Sequence, residues 1–172
     1  MGHVLPAGDG GESVIPHLSG SWQHTDDPGE PHTGKPRLSV TDLEAAILTA
    51  MVRGSSVIEI GTGLGVSTRA LASSAAAVHT VDIDPWVHET IWPYLPDNVI
   101  THETVESLPA TDAVFIDGDH TTFATAQDIE LAHRKARRLI LCHDASHEMV
   151  AAAFDDKWTI IPTEHGIGVR WL

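Results

Sequence analysis

The chain of 172 residues has one cysteine, Cys142, so no intramolecular disulfide can form, and its place inside an apolar run marks it as inert packing. It is also poor in bases. Ten lysines and arginines stand against 24 acids, a formal net charge of −14, which disfavours a nucleic-acid substrate or an anionic membrane surface. No apolar run approaches the roughly 18 residues of a membrane span, and the first residues lack the basic and apolar segments of an export signal. A cytoplasmic protein without membrane contact is the expectation. There is no Gly-x-Ser-x-Gly elbow and no zinc-like Cys/His spacing. Tyrosine occurs once, as Tyr94, and Asn98 stands where a Tyr-x-x-x-Lys pair would need lysine.

What is present is unevenly spread. Residues 1–37 hold half the prolines, half the glycines and four histidines, His3, His17, His24 and His32. This is loop composition. It reads as a flexible N-terminal arm, or as a lid anchored by Leu18 and Trp22. Residues 38–172 differ. Thr41 and Glu44 have capping-box spacing, and Leu43, Ala46, Ile47, Ala50 and Met51 recur at helical intervals, which predicts a helix over 40–53.

Apolar runs and helical segments then alternate. Strands are predicted at 57–60, 78–81, 99–101, 113–116, 139–142, 158–161 and 169–172, and helices at 67–74, 87–94, 123–137 and 148–154. Continuous apolar strands separated by helices indicate a parallel α/β sheet covered by helices on both faces. Only residues 162–168, with the Gly-containing turn 164–168, separate the last two strands, too few for a crossover helix, so that pair must be antiparallel. The basic run Arg134, Lys135, Arg137 and Arg138 is read as closing the fourth helix, and Trp86 and Trp92 as core.

The stretch 57–66, "VIEIGTGLGV", places glycines at 61, 63 and 65 directly after the first strand. In a doubly wound sheet the ligand lies beyond the carboxyl ends of the strands, where strand order reverses. Glycines there admit positive φ and let a ligand lie against backbone. Asp82, in "VDID" at the end of the second strand, can accept the hydroxyls of a ribose. The dinucleotide fingerprint G-x-G-x-x-G is missed by one position, which argues against NAD, and Glu59 suits a cationic ligand better than a pyrophosphate.

"EIGTGLGVST" followed by "VDIDP" resembles the first two motifs of the class I S-adenosylmethionine-dependent methyltransferases, over about residues 40–172. The resemblance implies a Rossmann-like doubly wound sheet of seven strands, order 3-2-1-4-5-7-6, with strand 7 antiparallel. It implies a cofactor site of Glu59, Gly61, Thr62, Gly63, Gly65, Asp82, Ile83 and Asp117. The glycines would lie under the methionine part, Glu59 would support the loop or the amino group, and Asp82 would hold the ribose.

The fourth predicted strand ends in "FIDGDH" and the fifth in "LCHDA", which gathers Asp117, Asp119, His120, His143 and Asp144 at one crevice. Two carboxylates from adjacent strand ends suit a divalent cation, most simply Mg²⁺. Asp119 is placed to cap the next helix ahead of Thr121. The cluster is similar to that of the cation-dependent small-molecule O-methyltransferases, and more closely their sugar-modifying branch. By that resemblance Asp117, Asp144 and His143 hold the metal, although the family commonly has Asp, Glu or Asn where this chain has His143. Asp117 and His120 are the catalytic residues, with His120 as general base, where catechol-type relatives carry lysine.

The expected reaction is metal-assisted O-methylation of a small-molecule hydroxyl. Two alternatives remain at this point: a non-catalytic S-adenosylmethionine-binding module and a nicotinamide-dependent oxidoreductase. Little chain is left over for binding substrate, so a pocket completed by a second copy, a homo-oligomer, is also expected.

Overall fold

The computed structural model describes residues 39–172; the arm or lid expected over 1–37 lies outside them. Helix α1 (Asp42–Met51) starts at Thr41, whose hydroxyl accepts from the Glu44 N–H while the Glu44 carboxylate accepts from the Thr41 N–H, so the capping box is present on both sides. The order then is β1 (Ser56–Ile60), α2 (Val66–Ala72), β2 (Ala77–Val81), α3 (Pro85–Thr90), β3 (Val99–His102), β4 (Thr111–Ile116), α4 (Thr122–Lys135), β5 (Ala136–Cys142), α5 (Glu148–Ala151), β6 (Thr159–Ile161) and β7 (Ile167–Trp171).

The seven strands form one sheet in the order β3-β2-β1-β4-β5-β7-β6. β7 runs antiparallel to both its neighbours, and the other pairs are parallel. This is the architecture the sequence leads one to expect.

Successive strand residues point to opposite faces, and both faces are apolar. Ala113 and Phe115 of β4 pack with Leu48 of α1 and Leu71 of α2, whereas Val114 and Ile116 pack with Ile129 and Ala132 of α4 and Val150 of α5. The strand order reverses between β1 and β4, so the ends of these strands border the crevice.

Three local expectations are corrected. The helix predicted over 87–94 ends at Thr90 and continues as a short 3₁₀ turn, Trp92–Tyr94, with Pro93 removing an N–H from the ladder. The helix predicted to 137 stops at Lys135, because residues from Ala136 onward are extended and pair with β4. Arg134 and Lys135 do stand in the last helical turn, but Arg137 and Arg138 belong to β5, where Arg138 donates to Ser55 Oγ at 2.7 Å. Trp86 and Trp92 are half-buried rather than core. Among the described residues no helix is long and apolar enough to cross a membrane.

Candidate active site

The glycine turn follows β1 directly. Gly61 has φ +94°, and a Cβ there would lie 2.2 Å from the backbone oxygen of Asp117, so glycine lets the ends of β1 and β4 meet. Gly65, φ +75°, forms the N-cap of α2. Asp82 clamps the turn from the side: its Oδ2 accepts from the N–H groups of Thr62 (3.0 Å) and Gly63 (2.9 Å), and its Oδ1 from the N–H of Asp84 (2.9 Å).

Glu59 holds the same segment from within. It is fully buried and accepts hydroxyl hydrogen bonds from Ser67 (2.7 Å), Thr68 (2.6 Å) and Thr80 (2.7 Å). Burial pushes its pKa up to about 7 against the pull of those three hydroxyls, with the Asp117 charge adding to the rise. Glu59 thereby ties β1 to β2 and to the first turn of α2. Thr62 Oγ1 lies 2.7 Å from Thr80 Oγ1, and Trp92 Nε1 reaches Thr62 at 3.4 Å, so the half-buried Trp92 borders the turn. Ile83, next to Asp82, is 93% exposed.

The second group of residues stands at the ends of β4 and β5. Asp144 has φ +53°, the one positive φ at a non-glycine position among the described residues. Such backbone persists where the surroundings hold it, and it concentrates at functional sites. His143 is buried between carboxylates: Nδ1 lies 3.1 Å from both Asp117 Oδ1 and Asp144 Oδ2, and Nε2 lies 3.2 Å from Glu44 Oε2. Burial alone lowers an imidazole pKa, but Asp117, Asp144 and Glu44 together push that of His143 up to about 12.

Glu44 comes from α1 and is fully buried. It also accepts from Thr163 Oγ1 (2.6 Å), the His165 N–H (3.0 Å) and His165 Nδ1 (3.1 Å). Burial raises its pKa, yet the donors from His143, Thr163, Thr41 and His165 win and hold it well below the usual carboxylate range. Asp117 behaves alike: burial raises its pKa, and His143 and His120 pull it well below that range.

The expected set Asp117, Asp144 and His143 is brought together, with carboxylates at both His143 nitrogens. The two groups whose atoms are spaced to hold a metal ion are Glu44, His143 and His165, and Asp117, His120 and Asp144. Glu44 enters the site from α1, and sequence reasoning assigned it only to the cap of that helix. Thr163 and His165 were missed as well, since nothing in the local pattern links residues so distant along the chain.

His120 joins Asp117 and Asp144. Its Nε2 lies 3.2 Å from Asp144 Oδ2 and 3.6 Å from Asp117 Oδ1, aligned for a hydrogen bond with neither, while 43% of the side chain is exposed. Asp117, His120 and Asp144 each offer an atom within 4.8 Å of the others. The Asp117 carboxylate raises the His120 pKa above its ordinary value against the effect of burial, and Asp144 adds to the rise. Asp119 points elsewhere: it accepts from the N–H of Thr121, the N-cap of α4, at 3.0 Å, as a capping residue would. Beside Asp144 lies a hollow of about 250 Å³ lined by Asp144, Ser146, His147, Glu164 and His165.

A seven-stranded sheet of this order, with a glycine turn clamped by an acid at the end of β2, defines a class I S-adenosylmethionine-dependent methyltransferase. The family model described as "Methyltransferase domain" matches residues 58–145, and the chain belongs to that family. No curated protein matches the chain at a significant level. Among solved structures it is similar to the O-methyltransferase from Bacillus cereus in complex with SAH, at 18% identity over 80% of this chain and 84% of that one, TM-score 0.68. It is also similar to TomG, an O-methyltransferase from Streptomyces achromogenes involved in tomaymycin synthesis, in complex with SAM, at 16% identity over 83% and 85%, TM-score 0.65. At these identities the likeness is one of fold.

Proposed function

We propose that residues 38–172 form an S-adenosylmethionine-dependent O-methyltransferase domain acting on a hydroxyl of a small molecule, with His120 as general base. The observation that carries the reading is that the clamped glycine turn and the Asp117–His120–Asp144 group open at adjacent strand ends of one sheet. The two similar structures are both O-methyltransferases, which supports oxygen as the acceptor atom. The net charge of −14 favours a small molecule over nucleic acid, and a lone buried thiol suits a cytoplasmic location.

The chain fits the cofactor. A carboxylate offers about four acceptor sites, and Asp82 spends three on backbone N–H groups, which leaves capacity for a ribose hydroxyl. Gly61, Thr62, Gly63 and Gly65 provide the backbone under the methionine part, and exposed Ile83 offers an apolar surface for the adenine. The bound cofactor supplies a methyl group made electrophilic by its sulfonium. The work of the chain is then orientation and proton removal.

Asp117 and Asp144 face Nε2 of His120, which keeps the proton on that nitrogen and leaves Nδ1 to accept the proton of the hydroxyl. The hollow beside Asp144 is the room for the acceptor, and a second copy of the chain would enclose it further. Calorimetric titration with S-adenosylmethionine, with NAD as control, tests the cofactor, and release of S-adenosylhomocysteine across a panel of hydroxyl compounds tests the reaction. Saturable binding of the first ligand alone is expected; binding of neither overturns the reading.

A further inference from the structure

The resemblance in sequence asks for a divalent cation between Asp117 and Asp144, and the structure disagrees. Asp117 and Asp144, which with His120 are spaced to hold an ion, each place one oxygen, Oδ1 and Oδ2 respectively, 3.1 Å from His143 Nδ1. The opposite nitrogen faces Glu44 at 3.2 Å, so carboxylates stand at both ring nitrogens, a setting that a ring protonated on both would satisfy. It is buried, with 1% of the residue exposed, and cannot swing out to solvent without leaving Glu44 and Asp117 uncompensated. An ion bound to those two oxygens would sit a few ångströms from a fixed positive charge.

Resting on the reading of these carboxylates as the acceptor end of a methyltransferase site, we propose that His143 is a built-in cation that takes the place of a divalent ion between Asp117 and Asp144, so that this enzyme works without metal. His143 is a positioning residue. It keeps both carboxylates ionised and close together, facing Nε2 of His120. Glu44 is the counter-charge that keeps the imidazolium in place: its other acceptor positions are filled by Thr41, Thr163 and His165, which fixes the carboxylate itself. Asp117 and Asp144 stay available for a substrate hydroxyl, with 17% and 15% of their side chains exposed.

The test is Mn²⁺ binding to the full chain, followed by the electron spin resonance of the free ion, in wild type, Asp144→Asn, His143→Asn and the double variant His143→Asn/Asp144→Asn. Wild type is expected to show no site that Asp144 controls. His143→Asn should bind one Mn²⁺ at least about tenfold more tightly than wild type, because a unit charge about 4 Å from a divalent ion matters by that much even with water-like screening. The double variant should lose that gain, which separates the site from Mn²⁺ scattered over an acidic surface. Stoichiometric binding to wild type that Asp144→Asn abolishes would overturn the proposal.

Should His143→Asn fail to fold, nitrogen-15 histidine spectra of wild type at pH 8 decide it: both His143 ring nitrogens protonated supports the built-in cation, and one unprotonated nitrogen overturns it. S-adenosylmethionine binding is measured on the same samples in EDTA. Its absence would sink the methyltransferase reading, whereas its presence with tight Mn²⁺ binding to wild type would sink only this inference.

Discussion

Asp82 and His120 carry the functional reading at the scale of single residues, and they fail differently when changed. Asp82 accepts three backbone N–H groups around the glycine turn, so Asp82→Ala loosens the turn and also removes the proposed ribose acceptor. A loss of about tenfold or more in S-adenosylmethionine affinity is expected by calorimetry, the effect of leaving polar groups unpaired. His120→Asn should leave that affinity within about twofold and lower kcat by about 10² to 10⁴, the usual worth of a general base. As the proposed general base, His120 would work in its neutral form, and its pKa is raised above 6.5 by Asp117 and Asp144. In wild type kcat should therefore climb with pH along a limb displaced above 6.5, and His120→Asn should lack that limb. Both residues are legible in the sequence, because each closes or follows a strand at a fixed place in a repeating pattern. His143 is legible as a site residue, but its contact with Glu44 is not, because that carboxylate comes from another part of the chain.

The elements around the site meet with little tolerance. In Gly61→Ala the new Cβ would stand 2.2 Å from a backbone oxygen at φ +94°, and no side-chain rotation relieves a contact with backbone. A loss of about 3 kcal/mol or more is expected by urea denaturation, if the variant folds. Gly65→Ala meets only the side chains of Leu95 and Ile91, at 3.0 and 3.1 Å, so a loss nearer 1 kcal/mol is expected.

Helix α1 is tied to β5 through Glu44 and His143, and this tie is pH-dependent. The Glu44 pKa is depressed in the fold, so its contribution is present above its ordinary 4.5 and is lost as pH falls below it. The His143 pKa is raised to about 12, so its contribution is full below the ordinary 6.5 and declines as pH rises toward 12. The pair contributes most between those ordinary values, 4.5 and 6.5. Glu44→Gln should cost about 3 to 5 kcal/mol within that window and flatten the acid limb of the stability profile below pH 4.5, measured by denaturation at a series of pH values.

For the molecule as a whole, ligand binding should report on the fold. S-adenosylmethionine at about 100 times its dissociation constant adds about 2.7 kcal/mol to the folded state and should raise Tm by about 5 °C or more, with no shift from NAD. Much of the architecture is legible in advance. Apolar runs buried on both faces read as parallel strands, and a five-residue connection can join β6 and β7 only as antiparallel neighbours. The boundaries that moved, at Thr90 and Lys135, did so because pairing with β4 and the missing N–H of Pro93 outweigh helical periodicity. Thus the sequence by itself determined the sheet, the glycine turn and the two acids at the ends of β4 and β5, since each follows from local pattern repeated along the chain. Only the tertiary structure decided what surrounds His143 at the centre of the site. Glu44 lies 99 residues before His143, and only the packing of α1 beside the ends of β5 and β7 puts its carboxylate on that ring.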